Sequence, residues 1–198
     1  MNRDTGRVSP YLLIVFMLGC LACYSSFPVY AGELPASRPS CFTCKGSLSP
    51  QGRWCDNNNG TVTDMSTGLV WLKDASWGGL NTFWMTTKTA TNAADRAAQT
   101  KNGNPASLTD GSQEGDWGLP TISQLASLAV GTEAIYCSNH YTLDMYFFSG
   151  VHIAEYWSST TYSADTNTAQ TYFFNTQSGT SHYDKNSGHY VWPVRIAK

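Results

Sequence analysis

The stretch CDNNNGTVTD, residues 55–64, crowds acidic and amide oxygens in front of a glycine. A calcium loop of the EF-hand kind needs oxygen ligands at its first, third and fifth positions, glycine at the sixth and a bidentate Glu at the twelfth. Anchoring that pattern on Gly60 makes Cys55 the first ligand and Ser66 the last, and a thiol is a poor calcium ligand. As a hairpin the stretch is coherent. Asn59-Gly60 is the pair that a type I′ turn demands, with both central residues at positive φ, and RWCD and TVTD flank it as short strands with Asn58 opposite Thr61. The reading adopted is a hairpin, with a calcium site as the alternative.

Residues 1–31 read as an export signal. Arg3 and Arg7 precede an apolar run over residues 11–23, and Val29-Tyr30-Ala31 gives a small-residue cleavage pattern. Thirteen apolar residues fall short of the roughly 20 that span a bilayer, so no transmembrane span is expected in the mature protein. The Gly19-Cys20 pair offers a lipoprotein signal as a rival, with Cys20 as the lipidated residue. The expected location is therefore periplasmic, cell-surface or extracellular.

Cleavage removes two of the 12 Lys+Arg and one of the 14 Asp+Glu, leaving 10 against 13 with no basic run, so nucleic acid is not an expected partner. Cleavage also leaves four cysteines, Cys41, Cys44, Cys55 and Cys137, for which an oxidising compartment favours two disulfides. CFTC, residues 41–44, lacks the βαβ context of a redox motif and the second close pair of a zinc site. Two pairings make physical sense: Cys41–Cys44 with Cys55–Cys137, or one bond from each leader cysteine to the folded part. The second closes longer loops and is preferred.

Residues 32–52 form a Pro/Ser-rich leader, and the folded domain is expected over residues 53–198. GLVWLKD reads as a strand. TTKTATNAADRAAQTKNG reads as a helix capped by Thr86 or Thr87 and closed by Gly103. LPTISQLASLAV reads as a second helix, with Thr121 and Gln124 in capping-box spacing and Ile122, Leu125 and Leu128 on one face. Beyond Cys137, YWSSTTY, TYFFNT, SHYD and HYVWPVR read as antiparallel strands. In the last of these the period of two places Tyr190, Trp192 and Val194 in the core. The expected class is α+β.

DNNNGTVTDMSTGLVWLKDA, LTDGSQEGDWGLPTISQLASL, YWSSTTY and YVWPVR, in that order between residues 53 and 195, resemble the Lcl C-terminal domain family, first noted at the end of a Legionella collagen-like adhesin. The resemblance implies a C-type-lectin-like α+β fold with two helices, short antiparallel strands and long loops. It also implies export and, often, a role in attachment or ligand binding, with no established catalytic role. The chain departs from the founding adhesin in having no Gly-X-Y stalk and a net negative mature domain. Ser76 and Ala106 stand where related sequences often carry cysteines, which implies one disulfide fewer.

No catalytic constellation emerges: HExxH, GxSxG and P-loop patterns do not occur. The four histidines, His140, His152, His182 and His189, are scattered; His182 and His189 can approach across strands, but a metal role there is not expected. Asp110, Glu114 and Asp116 form an acidic loop, with calcium again the minor alternative and otherwise no cofactor expected. Residues 162–190 are dense in Tyr, Asn, Ser, Thr and His, a composition that antibody loops favour because it combines rigid amphipathic rings with adaptable hydrogen bonds.

The expected function is a non-enzymatic exported module that recognises a glycan or protein ligand through Tyr162, Tyr172, Asn175, His182, Tyr183, Asn186 and His189. One alternative is a structural subunit of an envelope complex. Another is a copper-dependent enzyme of lectin-like fold, against which stands the occurrence of only Cys137 beyond residue 55.

Overall fold

The hairpin read from residues 55–64 forms, but around a different turn. Strand β2 (Trp54–Asp56) pairs with β3 (Thr61–Asp64) with Asp56 opposite Val62, and the Asn57 N–H donates to Thr61 O at 3.1 Å. Positive φ falls on Asn58 (57°) and Gly60 (85°), so Asn57 rather than Asn58 faces Thr61 and three residues span the turn. The side chains explain the shift. Asp56 Oδ1 accepts from the Asn58 N–H, and Asn59 Oδ1 accepts from both the N–H and the hydroxyl of Thr61, so local amide and carboxylate acceptors direct the chain. A Cβ on Gly60 would lie 2.6 Å from Ser107 O, a contact that only glycine avoids. Of the oxygens that resembled calcium ligands, Asp56 Oδ1 and Asn59 Oδ1 are thus hydrogen-bonded within the loop, and Asp56 Oδ2 is ion-paired with Lys73 at 2.6 Å.

The structure is a computed structural model that describes residues 43–80, 82–84, 92–131, 134–135, 142–145, 147–175 and 179–197. Among these, β1 (Ser47–Leu48), β2, β3, β4 (Leu69–Leu72) and β12 (Val194–Ile196) form an antiparallel five-stranded sheet in the order β1-β2-β3-β4-β12. The sheet thus takes in leader residues N-terminal to Arg53. A disulfide joins Cys44 to the fully buried Cys55, with Cα atoms 5.6 Å apart. That bond runs from leader to domain and excludes a Cys41–Cys44 bond. The export signal, Cys20, Cys41, Cys137, His140 and the Thr86 and Thr87 caps lie outside the described residues.

The second large sheet is three-stranded, β10-β9-β8, from β8 (Glu155–Thr161), β9 (Thr168–Phe173) and β10 (Gly179–Asp184). Two small ribbons complete the strands of the described residues: β5 (Thr82–Phe83) with β11 (Gly188–His189), and β6 (Thr142–Met145) with β7 (Phe148–His152). The helices are short: α1 (Ala93–Ala98), capped by Asn92, and α2 (Ile122–Leu128), capped by Thr121 with the Gln124 capping box complete.

The α+β expectation is therefore corrected: the described residues form a mostly antiparallel β fold with two helices of 6 and 7 residues. The alanine-rich text yields fewer than two turns. Asn92 takes the cap by accepting from the Asp95 N–H, and beyond Gln99 the chain enters turns at Lys101–Asn104, held by reciprocal N–H to C=O bonds.

The core is built from tryptophan. Trp54, Trp71, Trp117, Trp157 and Trp192 are buried, and most indole N–H groups find oxygen: Trp192 donates to Leu72 O, Trp157 to Thr82 O and Trp117 to Ser112 Oγ. Edge-to-face contacts link Trp71, Trp192, Phe148 and Trp54 at 5.1–5.6 Å between ring centres. Tyr190, Trp192 and Val194 share this core as their spacing requires, while Val191 joins a smaller cluster with Trp157, Ala169, Ala93 and Ala97. Pro193 directly precedes β12, and its carbonyl accepts from the Leu72 N–H at 3.1 Å.

Candidate functional site

Successive residues of a strand point to opposite faces, so the three-stranded sheet sorts the residues on which a binding reading rests. Tyr156 on β8, Tyr172 on β9 and Thr180 on β10 are register partners and share one face. That face meets the main core. Tyr172 is 5% exposed and packs on Phe174 at 4.9 Å, and burial pushes its hydroxyl pKa up. Tyr172 is thus a core residue, spent on packing rather than presented to solvent. His182 also lies on this face, beyond the covered part, exposed and stacked flat on Tyr162 with ring centres 4.0 Å apart.

The other face carries Glu155 and Trp157 on β8, Ala169, Thr171 and Phe173 on β9, and Ser181 and Tyr183 on β10, in the registers Trp157–Thr171–Ser181 and Ala169–Tyr183. His189 on β11 closes it at the side, since the Tyr190 N–H donates to Glu155 O at 3.1 Å and the His189 ring meets Trp157 at 4.6 Å and Tyr183 at 4.5 Å. His182 and His189 therefore address opposite faces. Asn186 sits in the turn after β10, its N–H on Asp184 Oδ1, and Asn175 follows β9. The seven residues expected to form one surface are divided: Tyr183 and His189 together, Tyr162 and His182 together on the reverse side, Tyr172 in the core.

The polar atoms of the Tyr183 face are incompletely matched. Glu155 Oε2, Thr171 Oγ1 and His189 Nε2 are buried and have no hydrogen-bond partner. Burial pushes the Glu155 pKa up; the hydroxyls of Thr171, Ser181 and Tyr183 lie close enough to oppose that rise, but none reaches Oε2 with hydrogen-bond geometry. Burial also lowers His189 to about 4, which keeps its imidazole neutral at physiological pH. Native proteins pair nearly all their buried polar groups, so three unmatched atoms on one face set it apart from the rest of the sheet.

Sequence reasoning found Tyr183 and His189 by composition and missed Glu155, Thr171 and Ser181. The signal for those was alternation: positions 155 and 157, 169 and 171, and 181 and 183 fall on one side once the strands are aligned. The acidic loop separates. The Asp110 side chain is buried and pairs with Arg195 at 3.0 Å, Glu114 pairs with Lys101 at 2.8 Å, and Asp116 accepts from the Gln113 N–H. Among the described residues no three His, Cys, Asp or Glu side chains are placed to hold a metal ion. No described helix is long and apolar enough to cross a membrane. An open depression of about 600 Å³, lined by Trp117, Gln124, Arg195 and Ile196 among others, involves no residue of β8–β10.

The residues quoted above for the family resemblance hold the scaffold together. Gly60 meets Ser107 and Leu108, Gly118 pairs with Val194, the Ser159 N–H donates to Pro120 O, and Trp71 packs on Trp192. Comparison with the curated proteins and with the solved structures gave no match. The Lcl C-terminal domain model matches residues 60–195, more than half of the chain, and the chain belongs to that family.

Proposed function

We propose that this chain is an exported, non-enzymatic binding module whose ligand, a glycan or a protein surface, docks on the face of β8–β10 that presents Tyr183. The observation that carries the reading is the company of that ring. Tyr183 is 40% exposed on an edge strand and lies against a group of buried polar atoms that the protein leaves unpaired. A rigid amphipathic ring beside unfulfilled hydrogen-bonding capacity is the combination that binding surfaces exploit, because a ligand then supplies the missing partners at little entropic cost. Export is supported by the Cys44–Cys55 disulfide, which an oxidising compartment preserves. The preference for a binder over an enzyme rests on a sequence that carries none of the hydrolase or nucleotide motifs sought in it.

The test presents the mature protein to a glycan array and to extracts of surface proteins, alongside Tyr183→Ala and His182→Ala. Ligands of the proposed face are lost with the first variant and kept with the second. Ligands that survive Tyr183→Ala and disappear with His182→Ala would move the site to the reverse face.

A further inference from the structure

We propose that the Tyr183 face is a receptor for a protonated primary amine, held by Glu155, Thr171 and His189 beneath the Tyr183 ring. The inference rests on the binding reading given above and assigns its ligand chemistry.

Charge is the first argument. Glu155 has no ion-pair partner among the described residues. Lys185, two residues after Tyr183, is engaged elsewhere: its Nζ lies 4.1 Å over the Trp84 ring and donates to Thr166 O at 2.8 Å and Thr161 Oγ1 at 3.1 Å. A carboxylate withdrawn from water without a cation is destabilised, and a neutral polyol would leave that charge uncompensated. A cationic ligand removes the penalty.

Hydrogen-bond sense is the second argument. The unmatched atoms are a carboxylate oxygen, a hydroxyl on the fully buried Thr171, and Nε2 of an imidazole held neutral. With the His189 proton on Nδ1, all three accept, and an alkylammonium group offers three donors and no acceptor. A carboxylate or phosphate ligand would meet the Glu155 oxygen and His189 Nε2 acceptor to acceptor, with only hydroxyls such as that of Thr171 able to donate to it.

The third argument is the aromatic wall. Tyr183 and Trp157 both pack on His189, and a cation placed over an exposed Tyr face gains further attraction. Tyr183 also serves as the cover. Its hydroxyl lies by Glu155, and its place on the edge strand lets the ring swing outward as the ligand enters.

Such an amine occurs on an amino sugar or on a simple alkyl chain end, and three probes separate the sources from the chemistry: glucosamine, N-acetylglucosamine and n-butylamine. Binding to the full mature protein is followed by Trp and Tyr fluorescence and by calorimetry. Glucosamine and n-butylamine should bind and N-acetylglucosamine should not, with Glu155→Gln weakening both amines by about tenfold or more. Glu155→Gln removes a buried charge, so its thermal unfolding should match or exceed wild type, which separates lost recognition from lost folding.

Binding of n-butylamine alone keeps the proposal and assigns the chain-end source; binding of glucosamine alone keeps it and assigns the sugar. Equal binding of N-acetylglucosamine and glucosamine overturns the amine assignment and leaves the binding face standing. Silence of all three probes, while array ligands still depend on Tyr183, has the same consequence. Silence of the probes together with no Tyr183-dependent ligand of any kind would remove both readings.

Discussion

Asp64 in the five-stranded sheet and Glu155 in the three-stranded sheet are both carboxylates drawn away from water, and their surroundings differ. Asp64 is fully buried and accepts from Arg53 Nη2 at 3.2 Å, from the Ser66 N–H at 2.9 Å and from the Ser66 hydroxyl. Arg53 in turn donates to the Ser127 and Val130 carbonyls at the end of α2 and stacks on Trp54 at 4.2 Å. Charge, helix terminus and indole are thereby locked together. Glu155 has hydroxyls beside it, no cation, and an oxygen with no partner. The same chain completes one buried acid and leaves the other open, so the second is not a general tolerance for unpaired charge. The first sheet has unmatched nitrogens of its own, on Trp71 and Arg195, but of these two acids only the one in the second sheet keeps a buried oxygen without a partner.

The sharpest way to break this contrast is to remove Arg53. Arg53→Ala leaves Asp64 buried without its cation and the Ser127 and Val130 carbonyls without this donor, and it should cost about 3–5 kcal/mol by urea unfolding. A loss below about 1 kcal/mol would mean that water reaches Asp64, and the contrast with Glu155 would fail.

Two tyrosines on opposite faces of β8–β10 give the next test. Tyr172→Ala opens a hole beside Phe174 and Tyr156 in the main core and should cost about 3 kcal/mol, whereas Tyr183→Ala, at an exposed edge, should stay within about 1 kcal/mol. Equal losses would show that the Tyr183 face is a packed core of its own rather than a surface for a ligand.

The leader can be weighed against both sheets. Cys44→Ser opens a loop of sequence separation 11, for which the chain-entropy argument gives a loss of about 3 kcal/mol. Peptide mapping without reductant checks the bond directly; a peptide linking Cys41 to Cys44 would contradict it. A loss well under 1 kcal/mol would mean that β1 holds the leader to β2 without the disulfide.

How much of this was readable beforehand follows from which residues act locally. The capping box of Thr121 and Gln124, the period-two core of Tyr190, Trp192 and Val194, and the strands of residues 61–64 and 69–72 depend on near neighbours, and each formed. The α+β class did not follow, because helix length is set by what stops a helix. Asn92 starts α1 late and the turns after Gln99 end it early, so alanine content misled. The turn type failed for the same kind of reason: Asp56 and Asn59 capture backbone N–H groups that a two-residue loop would have left alone. The candidate site was half legible. Tyr183 and His189 stand out by type, but Glu155 and Thr171 look ordinary until β8 and β9 are paired, and Tyr172 looks available until Tyr156 lies opposite it. Face assignment needs the register, which no single strand contains.

The smallest effect expected is a pH dependence in which the two titrating groups of the Tyr183 face oppose one another. His189 is lowered from 6.5 to about 4, so its contribution to stability is present above pH 6.5 and is lost as the pH falls from there toward 4, where the folded state resists a proton that the unfolded chain accepts. Glu155 is raised, so its contribution is present below the ordinary value of 4.5 and is lost as the pH rises through its folded pKa. Because His189 is only half-buried, screening reduces its share to about 1 kcal/mol. Urea unfolding at pH 4.5, 5.5 and 6.5, taken as differences between wild type and variant so that other carboxylates cancel, separates the two. His189→Gln should flatten the acid loss by about 1 kcal/mol, and Glu155→Gln should steepen it while raising stability at neutral pH. If Glu155→Gln instead lowers neutral stability, the carboxylate is satisfied in the folded protein, and the difference drawn between Asp64 and Glu155 disappears with it.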